Sequence, residues 1–302
     1  MLLYLAALVG LYHPVHWYRE RQVVSHFQDK YVFIMGCDSG FGNLLARQLD
    51  MQGLRVLAAC LTEKGTVILG VTQTEGIAAA TQWVKEHVGD RGLWGLVNNA
   101  GISFPSAPSE WLDKQDFVNI LNVNLLGVIE VTLSLLSLLR KAQSCVVNVS
   151  SVMGRLLLFG GGYCISKYGV ESFSNTLRRE LSYLGVKMAI IEPGFFKTNM
   201  TDSETLIEGD PCVLMALWCE KQLISHASII FSVQEAFNLC KSVDPRPVLG
   251  DCMEHALTAC HPRTRYSPGL DAKLVYLPLS YLPLRLVDAI VYLGSPKPAK
   301  AL

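Results

Sequence analysis

Residues 30–53 read KYVFIMGCDSGFGNLLARQLDMQG, and three segments can be told apart in them. Lys30–Met35 is a short apolar run with β-branched and aromatic members, the composition of a buried strand. From Asn43 onward, leucines recur at helical spacing until Gly53, a residue type that ends helices. Between the two, Gly36, Gly40 and Gly42 crowd the turn, with Ser39 and Phe41 interleaved. Glycines let a backbone approach a pyrophosphate closely, and the N-terminus of the following helix then faces the anion. A glycine-rich turn alone is a weak sign. One set between a strand and a helix has the context that this chemistry requires.

The alternation continues outward. LRVLAAC (54–60), TVILGV (66–71), LWGLVNN (93–99), SCVVNVS (144–150) and VKMAIIE (186–192) read as strands, and 114–141 and 163–184 as helices. Strands alternating with helices predict an α/β fold, a Rossmann-like doubly wound parallel sheet in a single domain over 30–270. Such sheets bind ligands at the carboxyl ends of their strands.

Half of the 302 residues are hydrophobic, only 17% are charged, and the formal net charge is zero. A neutral chain has no electrostatic footprint for nucleic acid, so no nucleic-acid partner is expected. The nine cysteines show no Cys-x-x-Cys spacing, and Cys60 and Cys145 fall in strand-like runs, as reduced core residues would. Cys252, His255, Cys260 and His261 lie close in sequence, but their spacing matches no zinc pattern, so no metal is expected.

Residues 1–18, MLLYLAALVGLYHPVHWY, are almost wholly apolar and precede Arg19 and Arg21. No basic region comes before the run and no small-residue cleavage site follows it. The run is expected to be a retained membrane anchor, with 19–29 as a linker and the two arginines holding the domain on the cytoplasmic side. His13 and Pro14 weaken a span, so a tilted or interfacial helix is the alternative. Residues 271–302 form a second apolar segment, broken by Pro278, Pro283, Arg285 and Asp288. That pattern suits a membrane-surface or substrate-entrance element rather than a second span.

GGYCISKYGVE (161–171) sets Tyr163 four residues before Lys167, so on a helix the two share a face. An ammonium beside a phenol favours the phenolate, and a tyrosine so poised can move a proton at neutral pH. The spacing alone is common on ordinary helices.

The glycine turn, NNAG (98–101), NVSS (148–151), YCISK (163–167) and PGFFKT (193–198) occur in that order. Together they resemble the short-chain dehydrogenase/reductase family, and within it the membrane-bound retinol and hydroxysteroid dehydrogenases. The resemblance implies hydride transfer between NAD and a lipophilic secondary or allylic alcohol, a retinol or a 3-alpha/17-beta-hydroxysteroid, at the endoplasmic reticulum membrane. It also leaves room for a homo-oligomer. By position, it makes Tyr163 the acid/base, Lys167 its partner and the holder of the nicotinamide ribose, and Ser151 the hydrogen-bonding partner of the substrate oxygen. Ser150 is the alternative, on the opposite side of the strand. Asn124, in NVNLLG, matches a relay through water. Gly36, Ser39, Gly40, Phe41 and Gly42 match the cofactor turn, Asn98, Ala100 and Gly101 its adenine side, and Pro193, Gly194 and Thr198 the segment flanking the carboxamide. NAD is favoured over NADP because Ser39 stands where NADP-selective relatives carry a base. AACLT after the second strand offers no Arg or Lys, and Asp38 would repel a 2′-phosphate if it faced the site.

Four departures from the family pattern stand out. Met35 replaces a threonine whose hydroxyl ties down the turn. Gly70 replaces an aspartate that contacts the adenine. The connection at 61–66 is too short for the usual parallel crossover of a dozen or more residues, so the third strand is expected to be displaced or its loop strained. Residues 204–250 do not resemble the charged substrate lid. These departures support a rival reading, a catalytically impaired, membrane-anchored homologue that acts by binding, or a non-functional isoform. Of two Asn-x-Ser/Thr sites, Asn148 falls in a core strand and Asn199 in an exposed loop.

Overall fold

β1 (Tyr31–Met35) is buried along its whole length, because neighbouring strands flank it and helices cover both faces. The computed structural model describes residue 10 and residues 14–62, 67–105, 109, 112–157, 161–196 and 246–294. Its sheet is parallel throughout. With β2 (Arg55–Cys60), β3 (Val67–Ile68), β4 (Gly95–Asn98), β5 (Cys145–Val149), β6 (Lys187–Ile191) and β7 (Arg265–Tyr266), the order is β3-β2-β1-β4-β5-β6-β7. The order reverses between β1 and β4, so the glycine turn after β1 lies at the switch point where such sheets take ligands.

One face is covered by α1 (Gly40–Met51) and α6 (Arg246–Thr258), which bring Leu45, Leu49, Met253, Ala256 and Leu257 against Val32, Ile34 and Val147. The other is covered by α2 (Thr74–Val88), α3 (Lys114–Ser134), α4 (Leu136–Ala142) and α5 (Gly162–Leu181). In α2 the buried positions Ile77, Ala80, Val84 and Val88 recur at helical spacing, and Gly89 ends the helix at φ +53°. α3 starts at a capping box in which Asp113 accepts from Asp116 N, and Asp116 from Asp113 N, each at 2.9 Å. The helix expected over 114–141 is broken at Leu135, so α3 and α4 are separate. Among the described residues, α3 is the one helix long and apolar enough to cross a membrane. It packs on α2 and α5 and buries Ile120, Asn124, Val128 and Val131.

The third strand is not displaced. β3 pairs with β2 in parallel through Ala59↔Val67 and Cys60↔Ile68, but only these two residues form it, at the last two positions of β2. Short as the connection is, the strand expected over 66–71 keeps its place by giving up length. Leu69 and Val71, just beyond it, remain in the core with Ile77. Cys60 and Cys145 are buried, outside any disulfide.

The stretch expected as a linker, 19–29, is bonded to the domain. Val23 bridges Ala259, Val24 N donates to Thr258 O at 2.8 Å, and Glu20 pairs with Arg263 at 2.5 Å. Of the expected anchor, residues 1–9 and 11–13 lie outside the described residues, as does 204–245 of the expected lid. In the C-terminal segment, Leu274, Tyr281, Leu284, Leu286, Ile290 and Tyr292 are exposed.

Candidate active site

The carboxyl ends of β1, β4, β5 and β6 converge on one edge of the sheet, and the expected site residues gather there. In the turn after β1, Gly36 and Gly40 have φ of +71° and +60°, a region that side chains seldom adopt. A Cβ on Gly36 would come within 2.8 Å of Ala100 Cα, so only glycine lets the first turn lie against the segment after β4. A Cβ on Gly42 would meet the Gly36 carbonyl and come within 2.6 Å of Asn99 Nδ2. Ser39 is the N-cap residue of α1, and the first turn of the helix carries no acidic residue. Phe41 turns its ring toward Phe196, with ring centroids 5.9 Å apart at right angles.

The hydroxyl lost at Met35 does not leave the turn untied. Asn99 Nδ2 donates to Met35 O at 3.2 Å and Gly36 O at 3.0 Å, Asn43 Nδ2 to Cys37 O at 3.0 Å, and Cys37 N to Ala59 O at 3.0 Å. Asn99 was not singled out in the sequence, although its place in NNAG beside Asn98 was the available signal. Asn98 itself is fully buried. Its amide donates to Thr132 Oγ1 at 2.8 Å and Asn148 Oδ1 at 2.7 Å, so its side chain joins β4 to β5 and α3 rather than facing the cleft. Asn148, buried in β5, donates onward to Ser174 at 2.8 Å. Ala100 and Gly101 follow at the cleft edge and are half-buried.

Asp38 was conditional in the sequence, and its orientation is now defined. Its carboxylate accepts from Leu61 N at 2.8 Å, Thr62 N at 3.1 Å and Thr62 Oγ1 at 2.9 Å. Burial raises this carboxyl, the hydrogen bonds from Leu61 and Thr62 lower it, and the net position is below the usual value. An anion therefore stands fixed between the glycine turn and the segment after β2. At Gly70, nothing lies within 4 Å of where a Cβ would be, so the place of the missing aspartate is open space.

Ser151 caps the short turn Val152–Gly154, accepting from Met153 N at 3.2 Å, and its hydroxyl lies close enough to the Tyr163 phenol to favour the phenolate. Ser150 points elsewhere, with its hydroxyl 3.4 Å from Lys167 O. The geometry thus sets Ser151, not Ser150, beside Tyr163. One turn along α5 from Tyr163, Lys167 is buried and donates from Nζ to Val149 O at 2.9 Å, with Nζ 5.5 Å from the centre of the Tyr163 ring. The expectation that Lys167 lowers the phenol is not met in this structure. Burial pushes Tyr163 up to about 12, and the Ser151 hydroxyl opposes this. Burial likewise brings Lys167 down to about 8, with Glu171 opposing it.

Asn124 lies in a π-helical turn of α3, Asn122–Leu126, a feature often found at functional sites. Its side chain accepts from Ile102 N and donates to Ile102 O, both at 2.8 Å, and donates to Ser166 at 3.0 Å. It therefore locks the loop after β4 to the helix that carries Tyr163. Pro193 and Gly194 follow β6, and Val152 N donates to Pro193 O at 3.0 Å. Thr198 and Asn199 lie outside the described residues. Tyr163, Phe195 and Tyr276 pack with Val152, Met153, Cys164 and Ala272, an apolar wall beside the phenol.

Residues 30–208 match the family model for short chain dehydrogenases. The chain belongs to the short-chain dehydrogenase family. Retinol dehydrogenase 16 of Mus musculus is 63% identical over 322 positions, and that of Homo sapiens 62% over 323, with 100% of both chains covered in each case. The 17-beta-hydroxysteroid dehydrogenase type 6 of Homo sapiens is 57% identical over 323 positions, again across 100% of both chains. An alignment of 322 positions against 302 residues means that at least 20 positions of the mouse relative have no counterpart here. Among solved structures, a short chain dehydrogenase/reductase from Burkholderia phymatum, in complex with NAD, superposes with a TM-score of 0.69 at 21% identity. The superposition covers 92% of this chain and 99% of that one, which establishes the shared fold.

Proposed function

We propose that the chain is an NAD-dependent dehydrogenase of lipophilic secondary or allylic alcohols, retinol or 3-alpha/17-beta-hydroxysteroids, at the endoplasmic reticulum membrane with its domain on the cytoplasmic side. The observation that carries this reading is the meeting of Ser151, Tyr163 and Lys167 at the end of β5, on the same sheet edge as the glycine turn. The relatives named as retinol and hydroxysteroid dehydrogenases support the substrate class. The apolar wall of Tyr163, Phe195 and Tyr276 suits a greasy alcohol, and the exposed apolar residues of the C-terminal segment suit delivery from a bilayer.

The residues present fit a dinucleotide. Gly36 and Gly42 have no room for a Cβ, which keeps the turn tight against the segment after β4, and the N-terminus of α1 carries no opposing charge. Gly36, Ser39, Gly40, Phe41 and Gly42 would hold the phosphates, Ala100 and Gly101 the adenosine side, and Pro193, Gly194 and Thr198 the nicotinamide side. The Asp38 carboxylate would disfavour a 2′-phosphate, which supports NAD over NADP. When bound, NAD supplies the acceptor for the hydride that leaves the alcohol carbon.

Ser151 orients the substrate oxygen, since a hydroxyl can donate and accept and so serves alcohol and carbonyl alike. Tyr163 moves the alcohol proton. Lys167, with its ammonium 5.5 Å from the centre of the Tyr163 ring, would hold the nicotinamide ribose, and Asn124 holds the helix and loop in register around them. The test is kcat/KM in phospholipid vesicles with all-trans-retinol and with a 3-alpha-hydroxysteroid, using NAD and NADP in turn. A preference for NAD of about tenfold or more, equivalent to 1.4 kcal/mol, is expected. Preference for NADP, or no turnover of either alcohol, would contradict the proposal.

A further inference from the structure

Three charged residues that the reaction scheme does not use meet directly behind the Tyr163–Lys167 pair. Glu192, the residue after β6, is fully buried. Glu171 is buried on α5, four residues after Lys167 and eight after Tyr163, so all three share one helical face. Arg265 of β7 reaches between the two carboxylates. Its Nη1 lies 2.6 Å from Glu171 Oε2 and pairs with Glu192 Oε1, while Ser267 donates to Glu192 Oε2 at 3.0 Å. The Arg265–Glu171 contact is close but poorly aligned, and neither oxygen of Glu171 receives a well-directed hydrogen bond. Arg155 flanks Glu192 at 3.5 Å and donates to Tyr281 of the C-terminal segment at 3.1 Å.

The packing fixes where Glu171 sits. A Cβ on Gly154 would lie 2.6 Å from Ser150 Oγ and 3.1 Å from both Glu171 Cγ and Lys167 O, so the turn after β5 presses this part of α5 into place. The charged or titratable groups facing Glu171 are thus Lys167 on its own helix, Glu192 just after β6 and Arg265 from β7.

We propose that Glu171 is a positioning residue for the Tyr163–Lys167 pair: Arg265, held between Glu171 and Glu192, presents the Glu171 carboxylate one helical turn from Lys167 and so keeps the buried ammonium charged at the site. The inference builds on the reading of Tyr163 and Lys167 as the proton-transfer pair. Burial is the main influence on both partners. It raises Glu171, which Glu192 pushes in the same direction, to about 7, and it lowers Lys167 to about 8. Glu171 therefore gains its charge in the pH range just below that in which Lys167 would lose its own.

The test follows the titration of Lys167 by NMR of lysines labelled at Cε, with the signal assigned by its loss in Lys167→Arg. Glu171→Gln should lower the Lys167 midpoint by about one pH unit. Glu171→Asp, which keeps a carboxylate, should restore most of it. Glu192→Gln leaves Arg265 to Glu171 alone, so Glu171 ionises at lower pH and the Lys167 midpoint should stay or rise. A merely structural role would not lower the midpoint when one carboxylate is neutralised and spare it when the other is. Midpoints that coincide in the parent chain and Glu171→Gln would overturn the inference, as would a fall in Glu192→Gln matching that in Glu171→Gln. The titration needs no turnover, so an inactive chain with the expected shifts refutes the dehydrogenase proposal alone. An active chain with unshifted midpoints refutes this inference alone.

Discussion

Gly42→Ala isolates the cofactor turn. Alanine in the first turn of α1 should gain up to about 1 kcal/mol in helix propensity. Against that, its Cβ would fall onto the Gly36 carbonyl oxygen and within 2.6 Å of Asn99 Nδ2. Gly36 cannot yield freely, because Ala100 presses on its other side and its φ is +71°. Relief therefore requires moving the turn and losing the bonds from Asn99 to Met35 O and Gly36 O. Overpacking costs about 1–3 kcal/mol and a lost hydrogen bond about 1 kcal/mol. With two bonds lost and the propensity gain subtracted, the net expectation is a destabilisation of about 2–4 kcal/mol, at roughly 2–4 °C of Tm for each kcal/mol. The displaced turn should also weaken NADH binding about tenfold or more, since 1.4 kcal/mol is a factor of ten. Thermal melting and NADH fluorescence titration measure the two effects. Gly70→Ala is the control, because nothing lies within 4 Å of its Cβ, and its stability should stay within about 0.5 kcal/mol of the parent. Gly42→Ala that melts and binds NADH like the parent would refute the reasoning.

Asp38→Asn should loosen the segment after β2 by about 1–2 kcal/mol and narrow the gap in affinity between NAD and NADP, both readable by urea unfolding and fluorescence titration. In the folded chain Glu171 sits near 7, above the usual carboxyl value, so the fold takes up a proton that the unfolded chain has released. That contribution is fully present at acid pH, below the unfolded value, and is lost as pH rises through 7. Urea unfolding of the parent and Glu171→Gln should therefore diverge in favour of the variant between pH 5 and 8, by up to about 3 kcal/mol. Inserting a helix of about a dozen residues after Gly65 should lengthen β3 beyond Val67–Ile68 and raise both stability and NADH affinity. An inserted chain no more stable than the parent would show that the two-residue strand suffices.

The sheet was legible because buried parallel strands are continuous apolar runs. β1, β2, β4, β5 and β6 lie where YVFIM, RVLAAC, GLVN, CVVNV and KMAII announce them. β3 and β7 were harder, since a two-residue strand owes its existence to the strand beside it and leaves no periodicity. Tyr163, Lys167 and Ser151 were readable from spacing and from the family resemblance. The surroundings of those residues were not. That Asn98 faces the core while Asn99 holds the turn depends on strand register, and Arg265 meets Glu171 across 94 positions of sequence only because β7 lies beside β6. The shift of Tyr163 upward rather than downward also follows from burial, which no local motif reports.

The most direct measurement is NADH formation from NAD and all-trans-retinol in phospholipid vesicles by the parent and by Tyr163→Phe, with NADH binding titrated on both. Removing the phenolic oxygen deletes the proton-transfer group beside Ser151 but leaves the Gly36–Gly42 turn intact. The expected result is turnover by the parent, a loss of about 10²-fold or more in the variant, and similar NADH affinity in the two. Turnover by Tyr163→Phe at the parent's rate, or a parent that binds NADH and oxidises no lipophilic alcohol, would contradict the assignment.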